Sequence, residues 1–241
     1  MSNQNKEKNY LKNYRIHDYE VPLTCVDVVI FTIVDNAVNV LLSNRKHYPC
    51  KGAWAIPGGF IDLKKDHDLQ QTAYRILFEK TGYQAPYLEQ IGSFGNAQRD
   101  PRGWSVTITY FALVNVENVT FAADCQWYPI NETGEVNKSL AFDHNELISE
   151  AFQRLRSKAQ YSTIILPVLP EKFTLSELQT CYETILGGKL NKAGFRRRIL
   201  KAEVITELSG EYKQTSTRTA QLYKRSDSDN VYFYMREIYA K

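Results

Sequence analysis

The sequence predicts an α/β chain in two parts: a mixed-sheet α/β domain over residues 21–161 and a smaller basic, helical module over residues 162–241, behind a polar arm at 1–20. Three observations carry that division. Runs rich in β-branched residues alternate with amphipathic helices through the first 161 residues. A Pro57-Gly58-Gly59 turn leads into one of those helices, where glycines take dihedrals closed to other residues and let a ligand approach the backbone. The charge then changes. From Ser162 onward 13 Lys/Arg stand against 9 Asp/Glu, about +4, which leaves about −1 for the rest of a chain with formal net charge +3.

Taken in order, residues 1–20 are polar with Tyr10, Tyr14 and Tyr19 interspersed, and are expected to form a mobile arm. Val26 to Val34 is a nearly continuous apolar run, and Asp35-Asn36 is a turn dipeptide leading into Ala37 to Leu42, which together spell a β-hairpin. Arg45 follows the second strand. A basic residue there suits a phosphate, and equally a solvated strand end. Asp68 is placed to cap a helix whose Leu69, Ala73, Ile76 and Leu77 share one face and which Gly82 would end. Tyr87 to Phe94 reads as a strand, and the alternation of Val106, Ile108, Tyr110 and Ala112 as another.

Between those two strands lies the loop GNAQRDPRGW, Gly95 to Trp104, stiffened by Pro101. Arg99 and Arg102 can fork onto a pyrophosphate and Trp104 can stack on a base or ribose. An Arg-Asp ion pair through Asp100, pinning a long loop, is the competing reading. Cys125 to Ile130 makes a short edge strand, and His144 to Lys158 an amphipathic helix with Asp143 as its cap in preference to an acid-base pair with His144. His17, His47 and His67 offer no convergent ligand spacing.

Ile164 to Pro170 reads as a connector broken by Pro167 and Pro170. Thr174 and Glu177 form a capping box that opens a helix to Leu186, ended by Gly187-Gly188. A turn at 189–191 leads into a second helix, Lys192 to Val204. Phe195, Ile199 and Ala202 face inward on it, and Lys192, Arg196, Arg197, Arg198 and Lys201 outward. Two strands follow, Val204 to Leu208 and Ala220 to Arg225, around a basic loop carrying Lys213 and Arg218. Two helices in a tight turn, the second basic, match a helix-turn-helix that enters the major groove. A helical appendage with a solvated basic face is the bland alternative.

The bulk numbers exclude several classes. Forty-three per cent apolar and 24% charged residues are ordinary globular values. No 18-residue apolar run and no apolar signal core at the N-terminus are present, so a cytoplasmic protein without membrane contact is expected. Cys25, Cys50, Cys125 and Cys181 lack the close pairing of a zinc site and are expected to be free thiols.

The stretch Trp54 to Tyr83 resembles the Nudix box, on which Nudix hydrolases carry the glutamates that bind magnesium. Arg75, Leu77, Glu79 and Gly82 match the pattern Arg-Glu-apolar-x-Glu-Glu-x-Gly, whereas Ile76 and Lys80 replace its first and last glutamates. The loop from Gly59 to Arg75 is also two residues longer than the pattern, with Asp62 and Asp66 as candidates for its early glutamate. The resemblance thus implies a Nudix-type α/β/α sandwich without hydrolase activity, in which Glu79 is the residual metal candidate.

The RDPRGW loop resembles the one that ADP-ribose-binding Nudix domains place over their ligand, and the basic hairpin resembles the wing of a winged helix. Both halves together resemble the Nudix-related transcriptional regulators. That resemblance implies a homodimeric repressor of NAD synthesis or salvage genes on double-stranded operator DNA, with ADP-ribose or a related NAD metabolite as effector and no required cofactor. The ligand would be held by Arg45, Gly58, Gly59, Phe60, Arg99, Asp100, Arg102 and Trp104. DNA would be held by Lys192, Arg196, Arg197, Arg198, Lys201, Lys213 and Arg218. An active Nudix hydrolase with Glu79, Asp62 or Asp66 around magnesium, and a sugar-sensing regulator of the same architecture, are the alternatives.

Overall fold

The computed structural model describes residues 3–85, 87–120, 123–214, 219–226 and 231–234. The hairpin forms as expected from β1 (Leu23–Val34) and β2 (Ala37–Asn44), with Val34 opposite Ala37. Asp35 and Asn36 take φ of 50° and 58°, the left-handed pair that a two-residue hairpin turn requires and that Asp and Asn tolerate. The other edge of β1 pairs in parallel with β6 (Ser105–Leu113). That places β1 in the middle of the sheet, covered on both faces, which is why its apolar run does not alternate.

β3 (Trp54–Ala55) and β7 (Cys125–Pro129) lie antiparallel to β2, β4 (Gly58–Phe60) antiparallel to β1, and β5 (Glu89–Asn96) antiparallel to β6. The path runs β3-β2-β1-β6-β5, with β4 and β7 attached to β1 and β2. α2 (Leu69–Thr81) covers one face, burying Ala73, Ile76 and Leu77 with Val26, Val28 and Ile30. Its ends are as read: Asp68 accepts the Gln71 amide at 2.7 Å, and Gly82 closes it at φ 63°. α3 (His144–Ala159) covers the opposite face, with Leu147, Ile148, Ala151, Phe152 and Leu155 in one core with Val29, Phe31 and Val40.

The second module is built on β8 (Phe173–Thr174), α4 (Leu175–Leu186), α5 (Lys192–Lys201), β9 (Ile205–Gln214) and β10 (Thr219–Arg225). Its strands run β8-β10-β9. The capping box is complete, Thr174 and Glu177 satisfying each other's backbone amides. Phe195 and Ile199 of α5 and Ala202 at its C-cap are buried, as the helical spacing predicts.

Four expectations need correction. Residues Asn3–Asn13, expected as part of a mobile arm, form a helix, α1, none of whose residues is buried. The connector is core: Ile164 to Leu169 are all buried, in one continuous cluster that also takes in Phe31, Leu155, Phe173, Leu178 and Ile185. Five aliphatic side chains in six residues cost too much in water to be left as a tether. α5 ends at Lys201, before Val204. Finally, β9 runs on to Gln214, past Leu208, so much of the expected wing loop is paired strand.

Candidate functional site

The glycine pair is not a turn. Gly58 and Gly59 lie in β4, with Gly58 opposite Asp27 of β1. A Cβ on Gly58 would sit 1.8 Å from Asp27 Oδ1, so the missing side chain is occupied by a buried carboxylate of the neighbouring strand. A Cβ on Gly59 would meet Ile76 at ordinary contact distance, 3.8 Å. Ile76, where the Nudix pattern has a glutamate, is buried beneath it.

The acidic candidates on and before α2 are turned to structural use. Arg75 donates to both oxygens of Asp66, at 2.8 and 2.7 Å, and to the Phe60 carbonyl at 3.2 Å. Asp66 also accepts from the Thr72 hydroxyl and the Asp62 amide, and the Arg75 hydrogen bonds hold its carboxyl far below the usual range. Glu79 lies 3.4 Å from Arg75, and Asp62 faces Lys65. Lys80 lies 3.3 Å from Asp124, which Lys46 also approaches. Magnesium asks for several oxygen ligands not already committed. One carboxylate is saturated by a guanidinium and another shares the helix with an ammonium, and among the described residues no three His, Cys, Asp or Glu side chains gather into a metal-holding group. The donor set does not fit a magnesium cage.

The 96–104 loop separates its two arginines. Arg99 turns inward: its side chain is 4% exposed, and Nε and Nη2 donate to Asp143 at 2.9 and 3.0 Å. Asp27 lies 3.7 Å away on the same guanidinium, and Nη1 reaches the Ser105 hydroxyl at 3.4 Å. As a phosphate fork Arg99 is therefore corrected, since its donors are engaged within the chain. Arg102 points out, 41% exposed, gripped by Asp100 at 2.7 to 3.2 Å and lying 5.3 Å over the Phe60 ring. The expected Arg-Asp pair through Asp100 is therefore made by Arg102, while Arg99 pairs with Asp143. Trp104 is 52% exposed and lies against Gly95, whose Cβ would come 3.0 Å from the indole. The structure thus brings Phe60, Arg102 and its carboxylate Asp100 together, while Trp104, two residues on in the same loop, lies against Gly95.

Arg45 does not join that group. Its Nε donates to the Pro49 carbonyl at 3.0 Å and its guanidinium sits 4.6 Å over Phe142. His144 is buried, and its Nδ1 accepts the Ile56 amide at 3.1 Å. Burial pushes the imidazole below its usual range, in keeping with Nδ1 serving as the acceptor of the Ile56 amide. Asp143 occupies the cap position, but its side chain makes no cap bond, being taken by Arg99. A separate cleft of about 710 Å3 lies between the outer face of α2 and β10, lined by Tyr74, Arg75, Phe78, Tyr83, Gln84, Ala85 and Arg225. It contains none of the expected ligand residues.

The residues missed by sequence reasoning are Asp27 and Asp143 as Arg99's partners. Asp27 had a signal, as the one charge inside a strand that is otherwise apolar or Thr from Val26 to Val34. A buried carboxylate needs a partner.

On the DNA side, Lys192, Arg197 and Lys201 stand exposed on the outer face of α5, and no ion pair engages them among the described residues. Arg196 is half-buried. Arg198 departs from the expected face, reaching the Gln160 carbonyl at 3.5 Å and lying 5.3 Å over the Tyr234 ring. Lys213 is also corrected: it is 2.6 Å from Glu177 and pins β9 to the start of α4. Arg218 lies outside the described residues. Among the described residues no helix is long and apolar enough to cross a membrane.

Comparison with known proteins matches both halves. The NUDIX domain family matches residues 23–151 and the NrtR DNA-binding winged helix domain matches residues 165–224. The ADPR responsive transcriptional repressor NtrR of Acinetobacter baylyi is 42% identical over 240 residues, 98% of this chain and 95% of that protein. The crystal structure of Shewanella oneidensis NrtR complexed with a 27mer DNA is similar at TM-score 0.79 and 40% identity, covering 85% of this chain and 94% of that one. The cocrystal structure of the NUDIX domain of the same protein complexed with ADP ribose is similar at TM-score 0.56 and 42% identity, covering 62% of this chain and 98% of that one. A Nudix sandwich sharing its core with a winged helix, in a chain that matches the Acinetobacter repressor nearly end to end, places this chain in the NrtR family.

Proposed function

We propose that the chain is a DNA-binding transcriptional repressor that senses ADP-ribose, or a related NAD metabolite, through a Nudix domain that holds the ligand without hydrolysing it. The observation that carries this reading is the pairing, in one chain, of a Nudix helix whose Arg75 ties up Asp66 and Glu79 with a helix that leaves Lys192, Arg197 and Lys201 open to a phosphate backbone. The DNA-bound and ADP-ribose-bound relatives support each half. Phe60, Arg102 and Trp104 are the ligand contacts, with Asp100 aiming the guanidinium. A homodimer presents two winged helices to the half-sites of an operator controlling NAD synthesis or salvage genes.

The test titrates the purified chain into DNA from upstream of its own gene at fixed salt, with and without ADP-ribose. A shift in affinity supports the reading, and its absence removes it. Incubation with ADP-ribose and magnesium checks the non-catalytic part. Release of AMP at enzymatic rates would make the Nudix domain a working pyrophosphatase.

A further inference from the structure

We propose that the Asp143 carboxylate is the positioning group that carries ligand occupancy at the 96–104 loop into the DNA-binding helices, with α3 as the lever between them. The inference deepens the ligand-responsive reading above and rests on it.

Two ligand-side segments converge on the first residues of α3. The loop arrives through Arg99, whose guanidinium takes both Asp143 oxygens while its backbone amide is held by Asn96 Oδ1 at 2.8 Å. Three residues on, Arg102 carries the exposed guanidinium, and Pro101 stiffens the backbone between, so a ligand that moves Arg102 moves Arg99. The β3–β4 segment arrives through Ile56, whose amide donates to His144 Nδ1 at 3.1 Å. Asp143 would ordinarily cap α3 with its side chain; here it makes no cap bond and spends its carboxylate on Arg99. The pair is shielded, with Arg99 4% and Asp143 17% exposed, so water does not readily replace either partner.

At its far end α3 meets both helices of the DNA-binding module. Sixteen residues of helix transmit displacement as a rod about 24 Å long. Arg156, in its last turn, donates to the Ile185 carbonyl at 3.1 Å and lies by Gly187, where α4 ends. Arg198 of α5 reaches Gln160, the residue that closes α3. Just beyond, the Ser162 carbonyl accepts from Tyr182 of α4 at 2.8 Å. A shift or tilt of α3 set at Asp143 thus reaches the angle at which α5 is presented.

The experiment uses the full chain and three measurements: ADP-ribose affinity alone, affinity for the upstream DNA at fixed salt, and the same DNA affinity under saturating ADP-ribose. For the wild type the two DNA affinities are expected to differ by about 5- to 150-fold. In Asp143→Asn, which keeps the volume and loses the charge, the separate affinities stay near wild type while the ratio falls below about twofold. Arg156→Gln, at the opposite end of the lever, is expected to lose the ratio in the same way with the Arg99–Asp143 pair untouched. It carries the test alone if melting curves show that Asp143→Asn does not fold. A wild-type ratio in Arg156→Gln overturns the lever. Loss of ADP-ribose affinity in Asp143→Asn overturns it too, since Asp143 would then only shape the loop. A wild-type chain whose DNA affinity ignores ADP-ribose refutes the ligand-responsive function itself, and the two failures are thereby told apart.

Discussion

Gly58→Ala separates two explanations of the glycine in β4. If Gly58 served ligand approach, an added methyl would leave the fold alone and weaken only ligand binding. In the structure that methyl would lie 1.8 Å from Asp27 Oδ1, 3.0 Å from its Cγ and 3.2 Å from the Val26 carbonyl oxygen. Asp27 cannot swing away freely, being buried 3.7 Å from Arg99, and the Val26 carbonyl belongs to the central strand. Overpacking of this kind costs about 1 to 3 kcal/mol. For a chain of this length that lowers the melting temperature by about 2 to 12 °C. A double-mutant cycle isolates the cause: in an Asp27→Ala background the carboxylate clash is gone and only the 3.2 Å approach to the Val26 carbonyl remains, so Gly58→Ala should then cost clearly less. Thermal melts of the four proteins, without ligand, decide it. An equal cost in both backgrounds, or none in the wild type, would refute the assignment of Gly58 to Asp27.

Three further outcomes follow from the site. Arg102→Ala removes the exposed guanidinium and should abolish the response to ADP-ribose while operator affinity in its absence stays intact, as read by fluorescence anisotropy. Arg197→Ala should weaken DNA binding, leave ADP-ribose affinity unchanged and lower the slope of log affinity against log salt by about 0.9, the loss of one phosphate contact. His144 should make stability fall as pH drops. Its folded pKa lies below the unfolded value of about 6.5, so the unfolded chain binds more protons below that pH and gains on the folded one. His144→Gln, which retains an acceptor for the Ile56 amide, should flatten the melting temperature between about pH 7 and pH 5.

The parts of this molecule that were legible in the sequence are those set by neighbours along the chain. The Asp35-Asn36 hairpin, the Asp68 and Thr174 caps, the Gly82 and Gly187 stops and the buried stripe of α5 each depend on residues within a few positions. What stayed hidden depends on residues far apart in sequence. Arg99 could be read as ligand fork or ion pair until Asp143, 44 positions away, was placed beside it. Gly58 looked like a turn residue because Asp27 is invisible from its own segment. Lys213 looked free because Glu177 lies 36 positions upstream. Ile164 to Pro170 read as a connector because two prolines break any long helix there, yet Leu166–Val168 form a short 3-10 turn that tolerates Pro167 and packs its aliphatic neighbours into the core.

The measurement that bears most directly on the central claim is reciprocal linkage. Isothermal calorimetry would give the affinity of the chain for ADP-ribose without DNA and with saturating operator DNA, at one salt concentration. If ADP-ribose changes DNA affinity by some factor, DNA must change ADP-ribose affinity by the same factor, because both describe one coupling free energy. Equal factors well away from one are what a ligand-responsive DNA-binding protein requires. An ADP-ribose affinity indifferent to DNA would contradict the account, leaving a Nudix domain and a winged helix that share a core without speaking to each other.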